Sequence, residues 1–110
     1  MLVNVNPSAS VNITEDVRSA KTTTTVSATT TLVVALTANA TRANYSIFNA
    51  GPSEVFVREG AIVTSALYDF RLPSGFYWKE EFLTARYLGA ISAITGSGTA
   101  SLMISEGSLI

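Results

Sequence analysis

The 110-residue chain contains no cysteine and no histidine. Without cysteine, disulfide staples and thiolate metal sites are excluded, and nothing points to a redox compartment. Without histidine the chain lacks the commonest general base, the commonest transition-metal ligand and the usual switch near neutral pH. A Ser-His-Asp arrangement is excluded on the same ground, although serine is plentiful. Charge is scarce too: seven basic and eight acidic side chains make up 14% of the chain and leave a net charge of −1. They are spread along the sequence, with no basic stripe to displace counterions from phosphates, so nucleic acid is not an expected partner. Long apolar runs are missing as well. The longest, Leu32 to Leu36, has strand length, against the roughly 20 residues of a membrane-crossing helix, and no membrane partner is expected. Met1-Leu2-Val3 has neither the basic start nor the long apolar stretch of a secretory signal, so synthesis is expected in the cytoplasm of the producing cell. The Asn-X-Ser/Thr triplets at Asn12, Asn39 and Asn44 are then coincidental.

What is present is enough for a core. With 47% hydrophobic residues, a chain of this length makes one domain and buries about two-thirds of its unfolded surface. Its low charge leaves uncharged polar and apolar atoms to cover the outside, which suggests contacts with other chains. Residues 1 to 30 differ from the rest, being rich in Ser, Thr, Asn and Ala and free of aromatics. They are expected to form an extended N-terminal arm with one edge strand near Val11 to Thr14, ahead of a β-sandwich domain over 31 to 110, the alternatives being a disordered tail or a first strand of the domain.

From Thr23 onward, strand signals come at short intervals. Thr23 to Ala28 is β-branched, and Thr31 to Thr37 reads as a strand buried on both sides. In Arg42 to Val57, Tyr45 and Ile47 share one face and Val55 and Val57 another, either side of Asn49-Ala50-Gly51-Pro52. That spacing predicts a β-hairpin ended by Glu59-Gly60. Leu67 to Leu72 alternates, with Tyr68, Phe70 and Leu72 expected inward. Pro73-Ser74-Gly75 is a turn. Phe76 and Trp78 share a face in the next strand, with Tyr77 opposite. Lys79 to Leu83 is a helical turn or a polar loop. Thr84 to Ile94 is expected as one long strand with a bulge or close packing at Gly89. Thr95-Gly96-Ser97-Gly98 is a hairpin loop, and Thr99 to Ser105 turns Ala100, Leu102 and Ile104 inward before Glu106-Gly107 ends it. Seven or eight strands without helical periodicity indicate an all-β fold, an antiparallel β-sandwich or jelly-roll-like barrel.

Little in the sequence suggests catalysis. Glu15-Asp16 and Glu80-Glu81 are adjacent, and neighbours on a strand point to opposite faces. Glycosidase chemistry needs two carboxyls facing each other, which only distant pairs such as Asp69 with Glu54 or Glu59 would supply. Solvated surface charge is the simpler reading. Lys21 and Lys79 lie in no serine–lysine motif, and Gly96-Ser97-Gly98 leads into a strand, unlike a phosphate loop. No catalytic residue, metal ligand or cofactor is therefore expected. The aromatic group Tyr68, Phe70, Phe76, Tyr77, Trp78 and Phe82 holds six of the chain's ten aromatic residues. Its simplest role is core filling. The alternatives are a protein interface formed by Tyr68, Phe70, Phe76, Trp78 and Phe82, or a sugar-binding platform.

The Arg-x-x-Tyr-x-Ile-x-Asn-x-Gly pattern from Arg42 to Gly51 and the return strand Val55-Phe56-Val57-Arg58-Glu59-Gly60 resemble a group of small tailed-bacteriophage virion proteins. The likeness continues through Phe70 to Gly75, Tyr87 to Ile94, Gly98 to Leu102 and Ser105-Glu106-Gly107, covering about residues 30 to 108. It implies a capsid decoration, or cement, protein on the outer surface of the virion. Such a protein would be a homo-oligomer, often a trimer, that clamps subunits of the major capsid protein. Within the same setting it implies alternatively a head-fibre, tail or baseplate component. From the aromatic residues, the competing reading is a glycan- or receptor-binding module.

Overall fold

The computed structural model describes residues 18–82 and 85–109. Its strands are β1 (Arg18–Ala28), β2 (Val33–Leu36), β3 (Arg42–Pro52), β4 (Val55–Glu59), β5 (Phe70–Leu72), β6 (Tyr77–Glu80), β7 (Ile91–Thr95) and β8 (Ala100–Leu109). Two antiparallel sheets result, ordered β1-β8-β3-β6 and β2-β7-β4-β5. Every consecutive pair except β4 and β5 lies in different sheets, so the chain winds back and forth across the sandwich. This is the eight-stranded jelly roll, two interlocked Greek keys.

The alternation seen in the sequence builds the interior. Ala100, Leu102 and Ile104 of β8 and Tyr45 and Ile47 of β3 meet Val55 and Val57 of β4, Leu72 of β5 and Ile91 and Ala93 of β7, all buried. Residues 60–69, between β4 and β5, carry buried Val63, and the Tyr68 ring packs on Phe56 at 5.0 Å. Because Phe56 points away from the core, this loop covers part of the outer face of the second sheet.

Winding changes several local expectations. The Arg42–Val57 stretch is not a hairpin, because β3 pairs with β8 and β6 while β4 pairs with β7 and β5. Its turn is a corner between sheets. Thr95–Gly98 likewise links β7 in one sheet to β8 in the other. Instead of being buried on both sides, β2 is an edge strand with Val34 exposed. Of Leu67 to Leu72 only Phe70–Leu72 is strand, and Tyr68 faces outward. Of the long strand expected over Thr84 to Ile94, residues 85–90 are not strand and β7 spans Ile91–Thr95, while Thr84 lies outside the described residues. The carbonyls of Tyr87 and Gly89 accept hydrogen bonds from Arg42 and that of Leu88 from the Asn39 amide, so this backbone has no ladder to join. Strand β8 continues through Glu106-Gly107 to Leu109. Within the stretch read as an arm, Arg18–Ala28 is an edge strand of the first sheet. The edge strand expected near Val11 to Thr14 lies outside the described residues.

Candidate interaction surface

The motif Arg42, Tyr45, Ile47, Asn49 lies along β3, and all four side chains are buried. Odd positions of β3 face the core, so Arg42 should face solvent. A register shift between Arg42 and Asn44 re-aims it inward, as bulges commonly do. The guanidinium then donates from Nε to Glu106 Oε2 at 2.7 Å, from Nη1 to the carbonyls of Tyr87 and Gly89, and from Nη2 to that of Thr37. It thereby pins β8 and two connections at one end of the sandwich.

Asn49 does the same at the opposite end. Its Nδ2 donates to the carbonyls of Ser53 and Leu72, and its Oδ1 accepts from the Gly51 amide at 2.7 Å. Gly51 has φ +90°, and a β-carbon there would collide with the Ser74 hydroxyl. Between these pins, Tyr45 crosses from one sheet to the other, its hydroxyl donating to Glu59 Oε2 at 2.8 Å. Burial first, then the Glu59 carboxylate, hold the Tyr45 phenol far above its ordinary pKa. These residues are structural cross-links. They account for the motif without a ligand.

The aromatic group is divided by the fold. Phe70 of β5 stacks on Trp78 of β6 at 4.6 Å, clasping the two sheet edges. Phe82 packs against Tyr45 at 5.7 Å, and Tyr68 lies on Phe56 across the other sheet. Phe76 is exposed beside the β5–β6 turn. Of the five residues expected as an interface, Phe70, Trp78 and Phe82 gather around Tyr45, while Tyr68 lies on Phe56 and Phe76 is exposed by the turn.

Beneath the Phe70–Trp78 stack, Tyr45, Glu59, Asp69 and Glu80 complete the lining of a cleft of about 220 Å³. Here the fold brings Asp69 to Glu59, with Asp69 Oδ2 accepting from the Glu59 amide at 2.8 Å. Glu54 is elsewhere, beside Arg71. Each cleft carboxylate already accepts from a group of the fold, Glu80 from the Phe82 amide at 3.2 Å. Among the described residues no group of acidic side chains is arranged to hold a metal ion.

A more continuous surface lies on the outer face of the first sheet. The register places Thr25, Met103, Phe48 and Tyr77 in one row across β1, β8, β3 and β6. Met103, Phe48 and Tyr77 are 51%, 41% and 70% exposed. The next row, Thr23, Ser105, Ser46 and Lys79, is polar. It opens into a shallow depression also lined by Lys21, Asn44 and Glu81. An apolar row bordered by polar groups, with the Lys79–Glu81 ion pair at one end, has the make-up of a protein contact. Phe48 and Met103 carried a sequence signal: each is a large apolar residue out of phase with the inward positions beside it.

The class defined by this geometry is a small jelly roll with an exposed apolar row on one sheet, a fold shared by capsid, lectin and enzyme domains. No family model matches the chain, and no similar curated protein or solved structure was found.

Proposed function

We propose that this chain is a structural protein of a tailed-phage virion that decorates the capsid shell and binds the major capsid protein as a homo-oligomer. The observation that carries the reading is the Met103–Phe48–Tyr77 row, an exposed apolar row on a sheet with no covering element among the described residues. The sequence likeness of about residues 30 to 108 to small virion proteins supports it. So does the use of Arg42, Tyr45 and Asn49 for internal cross-links, which leaves the exterior for contact. A head-fibre, tail or baseplate position uses the same surface in another place.

The mechanism is linkage: a protein that binds the assembled lattice and not the free subunit stabilises the lattice by RT ln(1 + [L]/Kd). The test is to mix purified chain with expanded shells of the encoding phage and record binding and shell melting. Saturable binding with a raised melting temperature, lost on Phe48→Asp in a chain that still folds, is the expected result. Shells that neither bind the chain nor gain stability would refute it. A glycan-binding role is favoured only by the Trp78-lined cleft. It would show as saturable sugar binding abolished by Trp78→Ala.

A further inference from the structure

We infer that β1 is a strand-pairing edge, and that its partner is β1 of a second copy of this chain. No described residue pairs with the far side of β1, which hydrogen-bonds only to β8. Strand β1 is also open in a second way. Thr24 pairs with buried Ile104 and shares its inward face, yet Thr24 is exposed, as is inward-facing Thr22. The opposing edge strand β2 spans only Val33–Leu36 and does not cover them. Lys21 to Thr25 is thus regular strand exposed on both faces and bonded along one edge.

Natural edges are blunted by shortness, proline, bulges or charge, because unpaired amides and carbonyls template another strand. Here the register shift lies at Arg18/Ala20 and the last charge is Lys21. Thr22 to Ser27 carries no charge, proline, glycine or irregularity, an open length of about 20 Å at ordinary strand rise. What covers such an edge is an extended strand. A second β1 suits it because the segment is self-complementary. An antiparallel two-fold pairing centred on Thr24 sets Thr23 against Thr25 of the other copy, and Thr22 against Val26. Threonine–threonine neighbours are favourable cross-strand pairs. Lys21 then meets Ser27, and the two Lys21 side chains stand apart. The pairing joins two sheets into one of eight strands and sets both apolar rows on one side. It is a two-fold contact, distinct from the three-fold arrangement implied by the sequence likeness.

Sedimentation of the full chain tests this with two double variants. Thr23→Lys with Thr25→Lys places ammonium groups opposite each other twice and should weaken dimerisation at least tenfold. Thr23→Asp with Thr25→Lys places opposite charges there and should leave the dimer intact or tighter. Circular dichroism checks that both fold. A chain that is monomeric up to millimolar concentration overturns the proposal. So does an oligomer, trimer included, indifferent to both variants. A monomer whose Thr22–Val26 amides resist exchange until residues 2–17 are removed would also overturn it, since the chain would then cover its own edge.

Discussion

Arg42 of β3 and Glu106 of β8 meet at 2.7 Å, with the arginine wholly buried and the glutamate 15% exposed. The pair lies where a bulge turns Arg42 inward, and the same guanidinium satisfies three carbonyls from two connections. Removing one partner of such a pair leaves a buried charge and several acceptors without donors. Arg42→Ala is expected to cost about 3–5 kcal/mol, read as a lower midpoint in urea. Arg42→Lys should recover little, since an ammonium cannot reproduce the planar fork. Full recovery by lysine would mean that charge alone matters there.

Tyr45 sets the alkaline limit of stability. Its pKa is raised in the fold, so above about pH 10 the unfolded chain releases this proton and the folded chain keeps it. The unfolded state then binds fewer protons, and stability falls as pH rises, by about 1.4 kcal/mol per unit for one such group. The contribution is fully present below the unfolded value. Tyr45→Phe should flatten the decline above pH 10 while costing about 1–3 kcal/mol near neutrality through the lost bond to Glu59. Denaturation curves of both proteins from pH 7 to 11 check this. Parallel pH profiles would contradict it.

Asn49 and Gly51 form the corner that turns β3 toward the other sheet. Asn49→Asp removes the donors to Ser53 and Leu72 and buries a charge, so it should destabilise more than Ser46→Ala on the same strand. Gly51→Ala meets both a positive φ and the Ser74 side chain and is expected to cost more than about 1 kcal/mol. Thermal melts of the three variants give the ranking.

Neighbouring positions of β3 should differ sharply. Ile47 is fully buried and Phe48 is exposed. Ile47→Ala is expected to cost about 2–5 kcal/mol, whereas Phe48→Ser should cost under about 1 kcal/mol. If Phe48 serves a partner, its loss shows in shell binding and leaves the melting curve nearly unchanged. A Phe48→Ser variant as unstable as Ile47→Ala would make the residue part of the core.

The sequence by itself determined the all-β class, the alternation of Tyr45, Ile47, Val55, Val57, Leu102 and Ile104 into one interior, and the turns at Pro73–Gly75 and Gly96–Gly98. Each follows from local stereochemistry or from period-two burial, which a linear pattern records. Only the tertiary structure decided which strands are neighbours. A hairpin and a corner between sheets show the same alternation around the same turn residues, so Asn49–Pro52 predicted a hairpin where the fold has a corner. It also decided the fate of the polar residues. Arg42 turns inward because of a bulge that no spacing reveals, and its donors keep residues 85 to 90 out of the sheet. The aromatic group was divided for the same reason: Phe70, Trp78 and Phe82 were carried to one edge of the sandwich around Tyr45, and Tyr68 to the outer face of the second sheet.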